Sequence, residues 1–172
     1  MSAIRTARLH LVPVTLNDEP ALTRLLHSPE VRRYLSDATL VPRATVAGWI
    51  AESCDPASGT CYWRIETPDD LVAGLVGLKP PSTATLALRA IGWRSRELVI
   101  ALGPEHWGQG FAAEAVDAAV QHGLSDGVTF AIVSAVDAAD ARSHRLMARC
   151  GFAELGRIAG PVQPIIVYER SV

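Results

Sequence analysis

The residues best placed for chemistry lie in one strand-to-helix passage, LVIALGPEHWGQGFAAEA, from Leu98 to Ala115. Gly108 and Gly110 let the backbone approach an anion closely. The amides through Ala112, at the positive end of the following helix, can then bind a diphosphate without a basic side chain. The same glycines also suit a plain loop-to-helix turn. No Lys-Ser/Thr pair follows them, so a P-loop is a poor match. Gly108, Gly110 and Ala113 satisfy a weak dinucleotide fingerprint, with Asp137 as a ribose candidate, but Gly103 to Trp107 intervenes between strand exit and first glycine. His106 brings an imidazole, a side chain suited to proton transfer near neutral pH, although it also reads as an ordinary turn residue.

The elements that must position this turn alternate along the chain. Arg8–Thr15 reads as a short strand, and Asp18–Leu26 and Pro29–Leu35 as helical pieces of an amino-terminal cap. A helix is expected over Pro42–Ser53, with Val46, Trp49 and Ile50 on one face and DPASG as its stop. Cys61–Glu66 and Leu71–Leu78 read as strands joined by the TPDD turn. Ala84–Leu102 is strand-like, with a loop or bulge at IGWRSR and a firmer strand at Leu98–Leu102. A helix over Phe111–Ser125, a strand over Val128–Val136, a helix over Ala141–Cys150 stopped by Gly151, and strands at Ala153–Ile158 and Ile165–Arg170 complete the chain. With no repeat or linker, residues 1–172 are expected to form one layered α/β domain with a mixed sheet.

Of the 172 residues, 49% are apolar, enough for a sizeable core. The 16 basic and 18 acidic groups leave a net charge of -2, which argues against bulk capture of nucleic acid. Lys79 is the lone lysine, so cationic recognition of phosphate or carboxylate falls mostly to arginine forks. Cys54, Cys61 and Cys150 have no metal-ligand spacing; they read as buried thiols in a reducing compartment, and no metal is expected. The amino terminus lacks a sustained apolar core and no run is long enough to cross a bilayer, so a cytoplasmic protein without membrane partners is expected.

Three segments, in this order, resemble the GNAT acetyltransferase superfamily, particularly its RimJ/RimL-like branch. ELVIAL from Glu97 is similar to the family's central strand, WGQGFAAEA from Trp107 to its acetyl-coenzyme A diphosphate loop, and DARSHRLMARCGF from Asp140 to its late helix. Weaker similarity extends from TARLHLVPVTL to the closing VYER. The resemblance implies a mixed central sheet flanked by helices, a splayed central strand pair, and acetyl-coenzyme A as donor. Trp107 stands where the loop pattern usually has Gln or Arg, whereas Gly110 and Ala112 meet its small-residue positions. The implied donor contacts are Leu98, Val99, Ile100, Ala101 and Leu102 on the strand, Trp107, Gly108, Gln109, Gly110, Phe111 and Ala112 at the loop, and Asp140, Ser143 and Arg145 on the late helix. Asp140 replaces a common Asn.

The reaction so implied is direct attack of a neutral amine on the thioester, with no covalent enzyme nucleophile. A backbone donor from the splayed strand would polarise the carbonyl. Glu97, placed near the donor by the resemblance, is the first candidate base, acting directly or through water, and His106 is the second. Glu97 also has a bland reading, a solvated strand-edge charge beside Arg94 and Arg96. Arg142, Arg145 and Arg149 share a helical face that reads as solvent-exposed, with Arg145 alternatively reaching a coenzyme phosphate. Trp49, Trp63 and Trp93 read as core or cleft wall, and Trp107 as a brace for the turn. The acceptor is expected to be an amine-bearing small molecule or a protein N-terminus, on a monomer or a homodimer. The competing functions are a non-catalytic acyl-coenzyme A-binding or sensory module and a nicotinamide-dependent oxidoreductase; strand order separates the latter.

Overall fold

The apolar alternation of the strands finds its explanation in a sheet covered on both faces. The computed structural model describes residues 2–35, 39–86, 88 and 94–171. Among these, the strands are β1 (Ile4–Arg5), β2 (His10–Pro13), β3 (Cys61–Glu66), β4 (Gly74–Lys79), β5 (Ser95–Leu102), β6 (Ala131–Asp137), β7 (Ala153–Ile158) and β8 (Ile165–Ser171). They form one sheet in the order β1-β2-β3-β4-β5-β6-β8-β7. The helices are α1 (Glu19–His27), α2 (Pro29–Arg32), α3 (Arg43–Cys54), α4 (Thr83–Leu86), α5 (Phe111–Leu124) and α6 (Ala141–Arg149).

Successive strand residues point to opposite faces. Trp63, Ile65, Val76, Leu78, Leu98 and Leu102 pack in one core with Val116, Ala119 and Val120 of α5. Tyr62, Leu75 and Ala101 join a second core with Leu22 and Leu26 of α1 and Val46 and Ile50 of α3. Small residues bring α5 close to the sheet: a Cβ at Gly123 would lie 2.5 Å from Leu78 Cδ1.

All neighbouring strands pair antiparallel except β5 and β6. That parallel pair is brief, running only from Ser95↔Ala131 to Glu97↔Val133. Beyond it β5 stays with β4 through Leu102, and β6 stays with β8 through Asp137. The two strands therefore diverge into the splay implied by the resemblance, and among the described residues the β5 edge from Leu98 to Leu102 has no strand partner on that side. A largely antiparallel sheet also removes the dinucleotide-domain arrangement, which needs parallel strands in two nucleotide-binding halves.

Several local readings change. Thr83–Leu86 is a helical turn within the stretch read as strand-like, with Thr85 wholly buried, and β5 starts at Ser95. Trp93 and the 91–93 part of IGWRSR lie outside the described residues. Helix α2 stops at Arg32. Strand β6 starts at Ala131 because Asp126 ties the preceding turn to the amides of Val128 and Thr129. The two-residue β1, too short to show alternation, goes unread in the sequence. Of the thiols read as buried, only Cys150 is; Cys54 is exposed and Cys61 half-buried. No described helix is long and apolar enough to cross a membrane.

Candidate active site

The glycine turn is built for an open helix start. After β5, Gly103 leads into a short 3-10 turn, Pro104–His106. Trp107 then donates its indole N–H to the Leu102 carbonyl at 2.9 Å, bracing the turn against the strand. Gly108 and Gly110 adopt φ of 76° and 81°, the left-handed region that glycine enters without strain. Gly110 is the N-cap of α5 and offers no side-chain cap, so the first amides of the helix keep their donors free of a side-chain partner.

Arg8 holds this turn from the other end of the chain. Its Nε and Nη2 meet Glu114 Oε2 at 2.8 and 2.7 Å, its Nη1 donates to the Gln109 carbonyl at 2.8 Å, and its guanidinium lies 4.8 Å from the Phe111 ring centre. Burial raises the Glu114 pKa, but hydrogen bonds from Thr6, the Arg8 amide and the Arg8 guanidinium outweigh it and hold the carboxyl below its ordinary value. Glu114 is thus an anchor for the turn.

A cavity of about 980 Å³ runs from the turn along the splay. Its walls include Leu98–Leu102, Trp107, Gly108, Gly110, Phe111, Ala112, Asp140, Ser143 and Arg145, so the geometry gathers nearly all the residues singled out in the sequence. Gln109 is not among its lining residues; its side-chain amide donates to the Glu105 carbonyl. Arg142, Arg145 and Arg149 line the cavity rather than a plain solvent face, and Arg142 stacks 4.2 Å above the Trp107 ring. The arginine face of α6 is turned toward the glycine turn, Arg142 lying on Trp107 and Arg149 Nη2 3.8 Å from where a Cβ of Gly110 would stand. Asp140 caps that helix: Oδ1 accepts from the amides of Arg142 and Ser143, and Oδ2 from the Ser143 hydroxyl at 2.6 Å.

Glu97 lines the cavity where the two strands part. It is 7% exposed on a central strand, so the solvated-edge reading is wrong. Its partners differ too. Oε2 accepts from the Ser82 amide at 2.8 Å and the Thr85 hydroxyl at 2.9 Å, while Oε1 lies 3.2 Å from Lys79 Nζ. Lys79 faces it across the β4–β5 ladder. Arg96 instead donates to the Gly59 carbonyl, and Arg94 stacks on Phe130.

His106 also lines the cavity, with Nε2 3.1 Å from Asp70 Oδ2. The amide of Val72, chiefly, and His106 next after the opposing effect of burial, keep Asp70 below the usual carboxylate range. Asp70, Glu105 and His106 bring ligand atoms within 4.8 Å of one another, a clustering that the His106–Asp70 contact accounts for without an ion. Glu97 and His106 cannot serve one reacting atom: at the usual strand rise, Glu97 to Leu102 alone spans about 17 Å, and His106 lies beyond. His144 is engaged with the Tyr168 hydroxyl at 2.9 Å and is not among the lining residues. Cys150 is buried, and burial first, then the charge of Asp117, pushes its thiol up to about 11, which suits a core residue.

An uncapped helix start at a glycine turn, an open strand edge and three arginines form one continuous surface. A family model for an acetyltransferase (GNAT) domain matches residues 8–153. The chain belongs to the GNAT acetyltransferase family. A search of curated proteins finds no match. Solved GNAT structures similar to it include RimL, the ribosomal L7/L12 alpha-N-protein acetyltransferase, in complex with coenzyme A, at TM-score 0.80 and 14% identity over 99% of this chain and 98% of that one. Spermidine N-acetyltransferase from Vibrio cholerae, in complex with coenzyme A and spermine, aligns at TM-score 0.76 and 19% identity over 96% of each chain. An aminoglycoside acetyltransferase in complex with coenzyme A aligns at TM-score 0.77 and 15% identity over 95% and 94%. These likenesses show the GNAT fold.

Arg8, Asp70, Lys79, Ser82 and Thr85 are the site-supporting residues that the sequence reading missed. Lys79 had one visible signal, its status as the lone lysine in an arginine-rich set.

Proposed function

We propose that the protein is an N-acetyltransferase of the RimJ/RimL-like type, acting in the cytoplasm, that moves acetyl from acetyl-coenzyme A to the primary amine of a small molecule or a protein N-terminus. The observation that carries this reading is the continuity of one cleft from the open amides at Gly110 to the carboxylate of Glu97. The residues fit the donor. A diphosphate suits the Gly110–Ala112 amides and the α5 dipole, with Arg142, Arg145 and Arg149 adding positive charge. The unpaired β5 edge from Leu98 to Leu102 presents backbone groups to an extended, amide-bearing arm in the manner of an added strand.

Acetyl-coenzyme A supplies an activated thioester carbonyl. An amine attacking it forms the C–N bond as the C–S bond breaks and the thiolate leaves. A β5 amide on the open edge donates to the carbonyl oxygen as charge develops there. Glu97 receives the proton shed by the amine. Its carboxylate is already held by Ser82, Thr85 and Lys79, so a water between it and the amine is the better fit than direct contact. His106, at the turn end of the cleft and paired with Asp70, is the alternative base to Glu97, and that role would require the thioester to lie at the turn end instead.

The same saturation of Glu97 favours one other reading, an acyl-coenzyme A-binding or sensory module without turnover. Calorimetry with acetyl-coenzyme A, followed by thiol-release assays on a panel of peptides, polyamines and amino sugars, separates the two. Donor binding with acetylation supports the enzyme; donor binding without turnover on any amine supports the sensor; no donor binding rejects both.

A further inference from the structure

We propose that the acceptor end of the cleft selects small amines carrying a second positive charge, the reacting end near Glu97 and the charged end near Glu52 and Glu30. This rests on the acetyltransferase reading and narrows its acceptor.

Charge along the cleft is uneven: the acids at the arginine end, Asp137 and Asp140, are engaged with Gln163 and with the start of α6. Arg142, Arg145 and Arg149 line the end at the glycine turn, whereas Glu30, Glu52 and Glu97 line the side walled by α1–α3. Among the described residues, the cation lining that side is Lys79, which is paired with Glu97. Arg33 stacks on Tyr34 at 5.4 Å but is not a lining residue. Glu30 and Glu52 are exposed and Glu97 is buried, so negative charge runs from rim to floor.

Tyr62 connects the two ends of this acidic track. It pairs with Gly77 on β4, which pairs with Val99 on β5, and a Cβ at Gly77 would collide with the edge of the Tyr62 ring. The ring therefore lies over the glycine and reaches the cleft floor. Burial first, then the charges of Glu52 and Glu97, push its phenol up to about 12, so both carboxylates act on one hydroxyl. Tyr34 and Trp49 add aromatic wall. A chain or ring between two amino groups would lie against these faces, with the distal cation held by carboxylate and by ring quadrupole. The reacting amine must be neutral, so a second, retained charge is what the rim acids can recognise. A singly charged amine leaves them without a cation, Glu30 keeping only the hydrogen bond it accepts from the Ser28 hydroxyl.

The test compares diaminobutane with butylamine as acceptors at one pH. The KM for the diamine is expected to be at least about fivefold lower. The ratio should shrink below about twofold in the Glu30→Gln/Glu52→Gln variant, and in about 1 M salt, where charges are screened beyond about 3 Å. Equal KM values for the two amines, or a preference surviving both changes, overturns the proposal. If donor binds but neither amine is acetylated, the acetyltransferase reading stands or falls separately on the peptide and amino-sugar panel. Calorimetry of the two amines on the coenzyme A complex then decides the charge preference: tighter diamine binding sustains it, and equal binding overturns it.

Discussion

Arg8 and Glu114, 106 positions apart, are joined through the guanidinium at 2.8 and 2.7 Å and through the Arg8 amide at 2.8 Å. The same guanidinium holds the Gln109 carbonyl, and a Cβ at Gly110 would come within 3.3 Å of its Nη2. The amino-terminal segment thus sets the shape of the turn proposed to bind the diphosphate. Replacing Arg8 by Ala should raise the Kd for coenzyme A roughly fivefold, equivalent to about 1 kcal/mol, with a smaller effect on the KM for amine. Calorimetry and initial rates check both; an unchanged Kd would detach Arg8 from the donor site.

The depressed Glu114 pKa gives this contact a pH dependence. Its carboxyl lies below the ordinary 4.5 in the folded protein, so its stabilisation is fully present above that value and is lost as pH falls through the lowered one. Wild type should therefore exceed Glu114→Gln in denaturant stability near neutrality, and the gap should close in acid. A gap that is constant with pH would mean the effect is packing alone.

Much of this arrangement is legible in the sequence where a local rule operates. Gly108 and Gly110 before an alanine-rich helix predict an open helix start, whereas Asp140, read as a donor contact, proves to cap α6 as well. Strand β3 matches its expected bounds because alternation and flanking turns act within a few residues. Long-range partners carry no such mark. Nothing local to Glu97 names Lys79, Ser82 and Thr85, because the β4–β5 register and the helical turn at Thr83–Leu86 bring them together. Arg94 and Arg96, its neighbours in sequence, point elsewhere, since adjacent strand residues face opposite sides and side chains follow their own contacts. The arginine face of α6 is likewise readable as a stripe, but whether it meets solvent or the cleft depends on how the helix lies across the splay.

Glu97→Gln keeps an acceptor oxygen for Ser82 and Thr85 but can no longer take up a proton. If Glu97 is the base, kcat should fall by about a hundredfold or more, and the acid limb of the pH–rate profile should disappear. Coenzyme A affinity, measured in parallel, reports whether the site is still formed. An unchanged profile would transfer the role to water alone or to another group.

Gly77 tests the seat of Tyr62. An added Cβ would lie 2.7 Å from the Cys61 carbonyl and press on the Tyr62 ring, so Gly77→Ala should destabilise the protein by about 1–3 kcal/mol. Tyr62→Leu should recover part of that loss when combined with it, because neighbours sharing one space are not additive. Strict additivity in denaturant unfolding would show that the two positions do not share that space.

Asp140 and Ser143 decide whether the late helix can give a hydrogen to the donor arm. A carboxylate only accepts, so the Ser143 hydroxyl must donate its hydrogen to Asp140 Oδ2 and has none left for the cleft. Asn at this position can still accept the Arg142 and Ser143 amides through its oxygen while its NH2 donates to Ser143, reversing that bond and releasing the hydroxyl hydrogen. Asp140→Asn should therefore leave stability within about 0.5 kcal/mol, whereas Asp140→Ala, which removes the cap, should cost about 1 kcal/mol. If Ser143 faces the donor arm, the Asn variant should also bind coenzyme A a few-fold more tightly, about the worth of one hydrogen bond. Equal affinity in wild type and Asp140→Asn would restrict the pair to capping.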